Sequence, residues 1–122
     1  MNNKLSYIEG AGSNGSRSYQ CAFCGFFITT GDRQLTVKGQ EIHKFTNPDG
    51  IEYTIRTFAS CPGADMYGPA VEAHSWFPGH AWRLAICRAC GAQLGWEYEA
   101  AAFAARPLHF WGLLTEMVED GV

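Results

Sequence analysis

Four of the five cysteines form two matched pairs, in the segments Cys21-Ala22-Phe23-Cys24-Gly25 and Cys87-Arg88-Ala89-Cys90-Gly91. Two residues between the cysteines let both thiolates of a tight turn face one ion. Two such turns complete a tetrahedral four-sulfur shell with Zn–S distances of about 2.3 Å. The glycine after each second cysteine tolerates the left-handed backbone of such a turn. We therefore predict one structural Zn²⁺ with no open coordination position. Its ligands would be Cys21, Cys24, Cys87 and Cys90.

Three tryptophans and a tyrosine lie close to the second cysteine pair, at Trp76, Trp82, Trp96 and Tyr98. Two strands that leave one metal-binding turn run side by side, so their aromatic side chains can converge. Trp96 and Tyr98 are two residues apart and share one face of a strand. Spacing alone favours core packing over a binding cage, because large aromatic side chains are usually buried. Both interpretations remain open at this point.

The other chemically interesting residues favour structural roles. Phe110 and Trp111 are predicted to lie in the core, and the unpaired Cys61 to be a buried thiol in a loop. The histidines show no ligand spacing to one another, which favours surface or hydrogen-bonding roles. They are His43, His74, His80 and His109.

Strand patterns dominate the chain. Residues 51–58 alternate and are rich in β-branched and aromatic types, and the turn at residues 47–50 should join them to residues 41–46 as a hairpin. Further strands are predicted at residues 82–86, 94–98 and 108–114. The proline- and glycine-containing stretch 61–73 favours a loop, and the alanine-rich stretch 100–105 favours one helical turn. The fold class is therefore predicted to be all-β, with one domain.

Length and charge exclude several classes of function. At 122 residues and net charge -3, without a Lys/Arg cluster, the chain lacks the basic face of a nucleic-acid binder. No apolar run is long enough to span a bilayer. We expect a flexible polar segment at residues 1–18, a domain at 19–117, a tail at 118–122 and a cytoplasmic location.

The order of these motifs closely resembles the thalidomide-binding (CULT) domain family of cereblon. The matching segments are His74-Ser75-Trp76-Phe77-Pro78-Gly79-His80-Ala81-Trp82, Cys87-x-x-Cys90, Gly95-Trp96-Glu97-Tyr98 and Phe110-Trp111-Gly112-Leu113, preceded by Cys21-x-x-Cys24 and Asn47-Pro48. The resemblance spans residues 19–114, and the long first segment is far more specific than a zinc pattern. It suggests a bacterial single-domain homologue, without the ubiquitin-ligase adaptor regions of full cereblon.

The resemblance implies a β-tent, in which zinc pins two antiparallel sheets, and a cage of three tryptophans with Tyr98 as its floor. It implies a non-enzymatic module that binds cyclic imides: glutarimide, thalidomide-type drugs, uracil-like rings, or cyclised Asn/Gln ends of proteins. The residues that the family would place at the ligand are Asn47, Pro48, His74, Ser75, Trp76, Trp82, Trp96 and Tyr98. His80 and Ala73 depart from the vertebrate Tyr and Glu and are expected at the rim.

Two other functions are compatible with the same residues. A tryptophan cage can bind quaternary ammonium by cation–π contact, and Glu97 or Glu99 could then supply a carboxylate. The β-type methionine sulfoxide reductases also combine a zinc-pinned β architecture with an aromatic pocket. Such an enzyme needs an attacking thiolate, for which Cys61 is the free candidate.

Overall fold

The structure, a computed structural model, describes residues 17–120. Within that range the chain is nearly all β, with nine strands and one 3-10 turn at Gly31–Arg33. The strands are β1 Ser18–Cys21, β2 Phe27–Thr30, β3 Ile42–Thr46, β4 Glu52–Phe58, β5 Ala64–Val71, β6 His80–Cys87, β7 Gln93–Ala100, β8 His109–Leu114 and β9 Val118–Asp120. No helix in this range has the length and apolar character of a membrane span.

Two antiparallel sheets make up the fold, which confirms the predicted class. The smaller sheet has the order β9-β1-β2, and the larger has the order β3-β4-β8-β7-β6-β5. The predicted hairpin is present as β3 and β4, in which Phe45 pairs with Tyr53. Strands β6 and β7 pair so that Trp82 lies opposite Tyr98, and Leu84 opposite Trp96.

Strand β8 is buried on both faces, because successive residues of a strand point to opposite sides of the sheet. Trp111 and Leu113 belong to a hydrophobic cluster shared with the smaller sheet. Phe110 and Leu114 belong to a second cluster, against which Trp76, Trp82 and Trp96 pack. The core positions predicted for Phe110 and Trp111 are therefore confirmed.

The stretch 61–73 is not the loop that its proline and glycine residues predicted, because Ala64–Val71 forms strand β5. The pairing of β5 with β6 is irregular between Tyr67 and Val71, where Gly68 and Pro69 lie. An edge strand tolerates such residues, since one side of its backbone has no ladder to complete. Cys61 precedes this strand and is buried, as predicted.

Two other local predictions need correction. Ala100 ends strand β7, and residues 101–105 form a bend and a turn without a helix. Val118–Asp120, which was assigned to a tail, forms strand β9 and pairs with β1, where Arg17 and Asp120 form an ion pair. Of the predicted flexible segment, residues 1–16 lie outside the described range, and Ser18 already belongs to β1. The domain limits themselves stay predictions.

Candidate functional site

The four paired cysteines converge on one point, and we call them the cysteine cluster. Their sulfur atoms all lie within 4.8 Å of one another. The Sγ atoms of Cys21 and Cys90 are 3.7 Å apart, and so are those of Cys24 and Cys87. A tetrahedral site with Zn–S bonds of about 2.3 Å requires sulfurs about 3.8 Å apart. The donor set and its spacing therefore fit one zinc ion.

The two cysteine turns have the same backbone hydrogen bonds. In the first turn the Gly25 amide donates to the Cys21 carbonyl over 2.8 Å. In the second turn the Gly91 amide donates to the Cys87 carbonyl over 2.9 Å. Both glycines have positive φ, at 82° and 78°. A side chain at either position would be strained, because L residues rarely adopt this conformation. The repeated Cys-x-x-Cys-Gly pattern thus encodes two equivalent turns, whose thiols together could hold a metal ion.

The neighbouring thiols of the cluster oppose one another's ionisation. The Phe26 amide lowers the pKa of the Cys24 thiol, but desolvation and the three neighbouring thiols outweigh this and raise that pKa to about 12. For Cys87, desolvation raises the pKa, but the amides of Cys90 and Ala89 reverse this and lower it. Four thiols this close cannot all ionise unless a cation compensates their charge.

The aromatic residues surround an open cavity of about 280 Å³, which we call the aromatic cavity. This volume is at the small end of ligand pockets, which span roughly 300–1,000 Å³. Seven of the eight residues that the resemblance implied line it: Asn47, Pro48, His74, Trp76, Trp82, Trp96 and Tyr98. Ser75 is not among the lining residues, and its hydroxyl instead donates to the Phe77 carbonyl over 3.1 Å.

Ring contacts hold Trp76 in place. Phe45 stacks on it at 4.9 Å with an interplanar angle of 9°, and Tyr53 lies tilted against it at 5.6 Å. Trp96 meets it at 4.9 Å and 75°, close to edge-to-face. Such arrangements are favoured by the aromatic quadrupole. The walls formed by Trp76 and Trp96 are therefore braced by neighbouring rings.

The other walls are fixed by a hydrogen bond and by burial. The indole N–H of Trp82 donates to the Ala73 carbonyl over 2.8 Å, which sets the orientation of that ring. Tyr98 is only 2% exposed and forms the floor, where burial raises the pKa of its hydroxyl. Phe77 and Phe110 pack against Tyr98 at 4.8 and 4.9 Å. The floor thus rests directly on the core.

Tyr53 is a cavity residue that sequence reasoning missed. It pairs with Phe45 across the β3–β4 hairpin, so both residues lie near Trp76. The signal was available, because the predicted hairpin places Tyr53 a few residues after Asn47.

The two departures from the family pattern are not both at the rim. His80 is only 4% exposed, and one ring nitrogen lies 2.7 Å from the Pro107 carbonyl oxygen, so this residue belongs to the interior. The expectation that His80 is a rim residue was therefore wrong. Ala73 is exposed and acts through its backbone carbonyl, which holds Trp82.

The acidic residues beside the cavity aromatics do not line it. Glu97 lies between Trp96 and Tyr98 in sequence, but its side chain is on the opposite face of the strand. There it is fully buried, and its carboxylate oxygen lies 2.6 Å from the Nε2 atom of His109. Desolvation raises the pKa of Glu97, and the nearby His109 partly offsets this. Glu99 pairs with Arg83 at 3.2 Å. Neither carboxylate supplies the cavity with a charge.

Cys61 also lies away from the aromatic cavity. It lines a separate groove with His109 and Trp111, and burial strongly raises the pKa of its thiol. A thiol with a raised pKa is protonated at neutral pH and is a poor nucleophile. The attacking thiolate that the reductase alternative requires is therefore missing from the aromatic cavity.

Comparison with known proteins gives a consistent set of relatives. The chain is 36% identical over 69 residues to "Protein cereblon" of Danio rerio and 40% identical over 70 residues to that of Gallus gallus, in each case 57% of this chain and 16% of the relative. With the Drosophila erecta protein it is 28% identical over 124 residues, covering 99% of this chain and 21% of the relative. No family model matches. The chain thus spans only about a sixth to a fifth of these relatives' length.

Fold and site together define a small two-sheet β domain with a four-cysteine cluster and an aromatic cavity. With the similarity to cereblons, this assigns the chain to the cereblon-like CULT domain family.

Proposed function

We propose that this domain is a zinc-stabilised, non-enzymatic module that binds small cyclic imides in the aromatic cavity. The observation that carries the proposal is an open space of about 280 Å³ bounded by three indole rings and Tyr98. A flat ring that enters this space buries both of its faces against aromatic carbon. Aromatic contacts contribute about 0.5–1.5 kcal/mol each beyond area burial.

Polar recognition would come from the backbone beside Trp76. Among the hydrogen bonds found within residues 17–120, none uses the backbone N–H or C=O of His74 or Trp76. An imide edge presents two carbonyl acceptors on either side of one N–H donor. Free backbone donors and acceptors complement such an edge, whereas a lactam, with one carbonyl, leaves a donor unpaired. A buried unpaired group costs about 1–3 kcal/mol.

The metal has a structural role in this proposal. The cysteine cluster supplies four sulfur ligands, which complete a zinc shell and leave no position for a substrate. When bound, zinc would hold the β1–β2 turn against the β6–β7 turn, and thereby join the two sheets. The strands β6 and β7 that leave this point carry Trp82, Trp96 and Tyr98. Zinc would thus stabilise the scaffold on which the cavity is built.

Two features of the cavity favour an imide over a quaternary ammonium ligand. No acidic side chain is among its lining residues, and the nearest carboxylates in sequence, Glu97 and Glu99, pair with His109 and Arg83. The candidate ligands remain the free ring, a drug that carries it, or the cyclised end of a protein. All three share the imide edge.

Isothermal titration with three small ligands tests the proposal. Glutarimide should bind saturably, whereas 2-piperidinone and trimethyl-lysine should bind much more weakly or not at all. Trp82→Ala should weaken glutarimide binding by at least about tenfold while the protein stays folded. Phe103→Ala is the matched control, because that ring is 100% exposed and does not line the cavity. Preference for trimethyl-lysine, or no binding of glutarimide, would reject the proposal.

A further inference from the structure

Two hydrogen-bond donors share one wall of the aromatic cavity. The side-chain oxygen of Asn47 accepts the amide N–H groups of Asp49 and Ile51, at 3.0 and 2.9 Å. These bonds fix the orientation of the amide, so its NH₂ group is directed away from the turn. The Nδ2 atom lies 3.5 Å from the hydroxyl oxygen of Tyr53. Because that oxygen can accept from Asn47, the hydroxyl proton of Tyr53 is left to donate elsewhere.

The two residues of this donor wall differ in exposure from the floor and from the most exposed lining residues. Tyr98 at the floor is buried, whereas Pro48 and His74 at the rim are exposed. Asn47 and Tyr53 are half-buried, like the tryptophan walls, and both line the cavity. A ring that occupies the cavity therefore lies beside the Tyr53 side chain, whose hydroxyl can meet a substituent on that ring.

We infer that the hydroxyl of Tyr53 is a specificity determinant, which favours imide rings that carry a carbonyl acceptor on a ring substituent. The inference rests on the proposed function and refines its ligand class. A carbonyl beside the ring would accept from the Tyr53 hydroxyl, and Asn47 would hold that hydroxyl in place. An ammonium substituent would instead face two donors, with no acidic side chain lining the cavity to balance its charge.

The test compares three ligands with the wild-type protein and Tyr53→Phe. Glutarimide has no substituent, 3-acetamidoglutarimide has the acceptor, and 3-aminoglutarimide has a cation at pH 6, below the pKa of about 7.8 of an α-amino group. Phenylalanine keeps the ring contacts with Trp76 and Trp96 and removes the hydroxyl alone. The variant should bind 3-acetamidoglutarimide about three- to tenfold more weakly than wild type, and glutarimide equally well.

The outcomes separate this inference from the proposed function. Two results would overturn the inference alone, provided that the wild type binds glutarimide. The first is an equal loss of affinity for glutarimide and 3-acetamidoglutarimide in Tyr53→Phe. The second is tighter binding of 3-aminoglutarimide than of 3-acetamidoglutarimide. Absence of glutarimide binding by wild type would overturn both. Tyr67→Phe is the matched control, because Tyr67 is 63% exposed on β5 and does not line the cavity, so it should change neither affinity.

Discussion

The cysteine cluster and the aromatic cavity both draw residues from the β6–β7 hairpin but are built in different ways. Trp82 and Cys87 are five positions apart on β6, which separates them by about 16 Å. The cluster consists of two copies of one local motif with the same backbone hydrogen bonds. The cavity is assembled from the β3–β4 hairpin, the segment before β6, and strands β6 and β7. One site repeats a short motif, and the other depends on the whole fold.

This difference implies that the cavity depends on the cysteine cluster, whereas the cluster does not depend on the cavity. If zinc holds the sheets together, changes at the cluster should remove the fold and therefore the cavity. Changes to the half-buried tryptophans of the cavity should leave the fold and the metal in place. Residues beneath the cavity, such as Phe77, should behave like the cluster because they belong to the core.

The largest expected effect is loss of a cluster ligand. Cys24→Ser should abolish stoichiometric zinc binding and the cooperative thermal transition, because structural zinc in small domains contributes on the order of 10 kcal/mol. Metal analysis and thermal denaturation by circular dichroism measure both effects. Cys61→Ser is the matched control, since Cys61 is buried but lies outside the cluster. It should retain one zinc per chain. Zinc-free Cys24→Ser with an unchanged transition would show that the metal does not support the fold.

Phe77 and Trp76 are adjacent in sequence, but their replacement should mainly affect different properties: stability for Phe77 and ligand affinity for Trp76. Phe77 is fully buried and contacts Tyr98 and Phe110, so Phe77→Ala should lower the free energy of unfolding by about 3–5 kcal/mol. Trp76 is half-buried and lines the cavity, so Trp76→Ala should cost less stability while weakening glutarimide binding at least about tenfold. Urea denaturation and calorimetric titration of both variants measure the contrast. Equal loss of stability in the two would contradict the separation of core and cavity.

The sequence predicted the two regions to different extents for a physical reason. The spacing of Cys21, Cys24, Cys87 and Cys90 sufficed for the cluster, because a Cys-x-x-Cys-Gly turn is defined by local geometry. Local spacing could not distinguish a cavity from a packed core at Trp82 and Trp96, since that depends on which strands pair. Only the resemblance to a family pointed to the cavity, and it omitted Tyr53.

Local signals also failed where tertiary pairing overrides them. Gly68 and Pro69 predicted a loop, but neighbouring residues pair with β6 and make an edge strand. The charged end of the chain predicted a tail, but Val118 is buried against the first cluster and draws Glu119 and Asp120 into β9. Strand β9 pairs with β1 at the other end of the described range, and β5 pairs with β6. In each case the pairing is not apparent from the residue types of the segment itself.

The smallest expected effect concerns the face of β7 that points away from the cavity. Desolvation raises the pKa of Glu97, so the folded protein binds that proton more tightly than the unfolded chain, whose glutamate pKa is about 4.3. The stabilisation from this proton is present below pH 4.3 and is lost as pH rises through the folded-state pKa. Glu97→Gln removes this loss, so its stability relative to wild type should increase as the pH rises from about 4.3 through the folded-state pKa of Glu97.

Urea denaturation across that pH range measures the difference, with Glu99→Gln as the matched control. Glu99 is half-exposed and pairs with Arg83, so this variant shows the effect of removing an exposed carboxylate from the same strand. Glutarimide affinity should be unchanged in Glu97→Gln, because the Glu97 carboxylate pairs with His109 and does not line the cavity. A flat difference curve for Glu97→Gln would show that its proton is not retained on folding. A change in glutarimide affinity would show instead that the two faces of this strand are coupled.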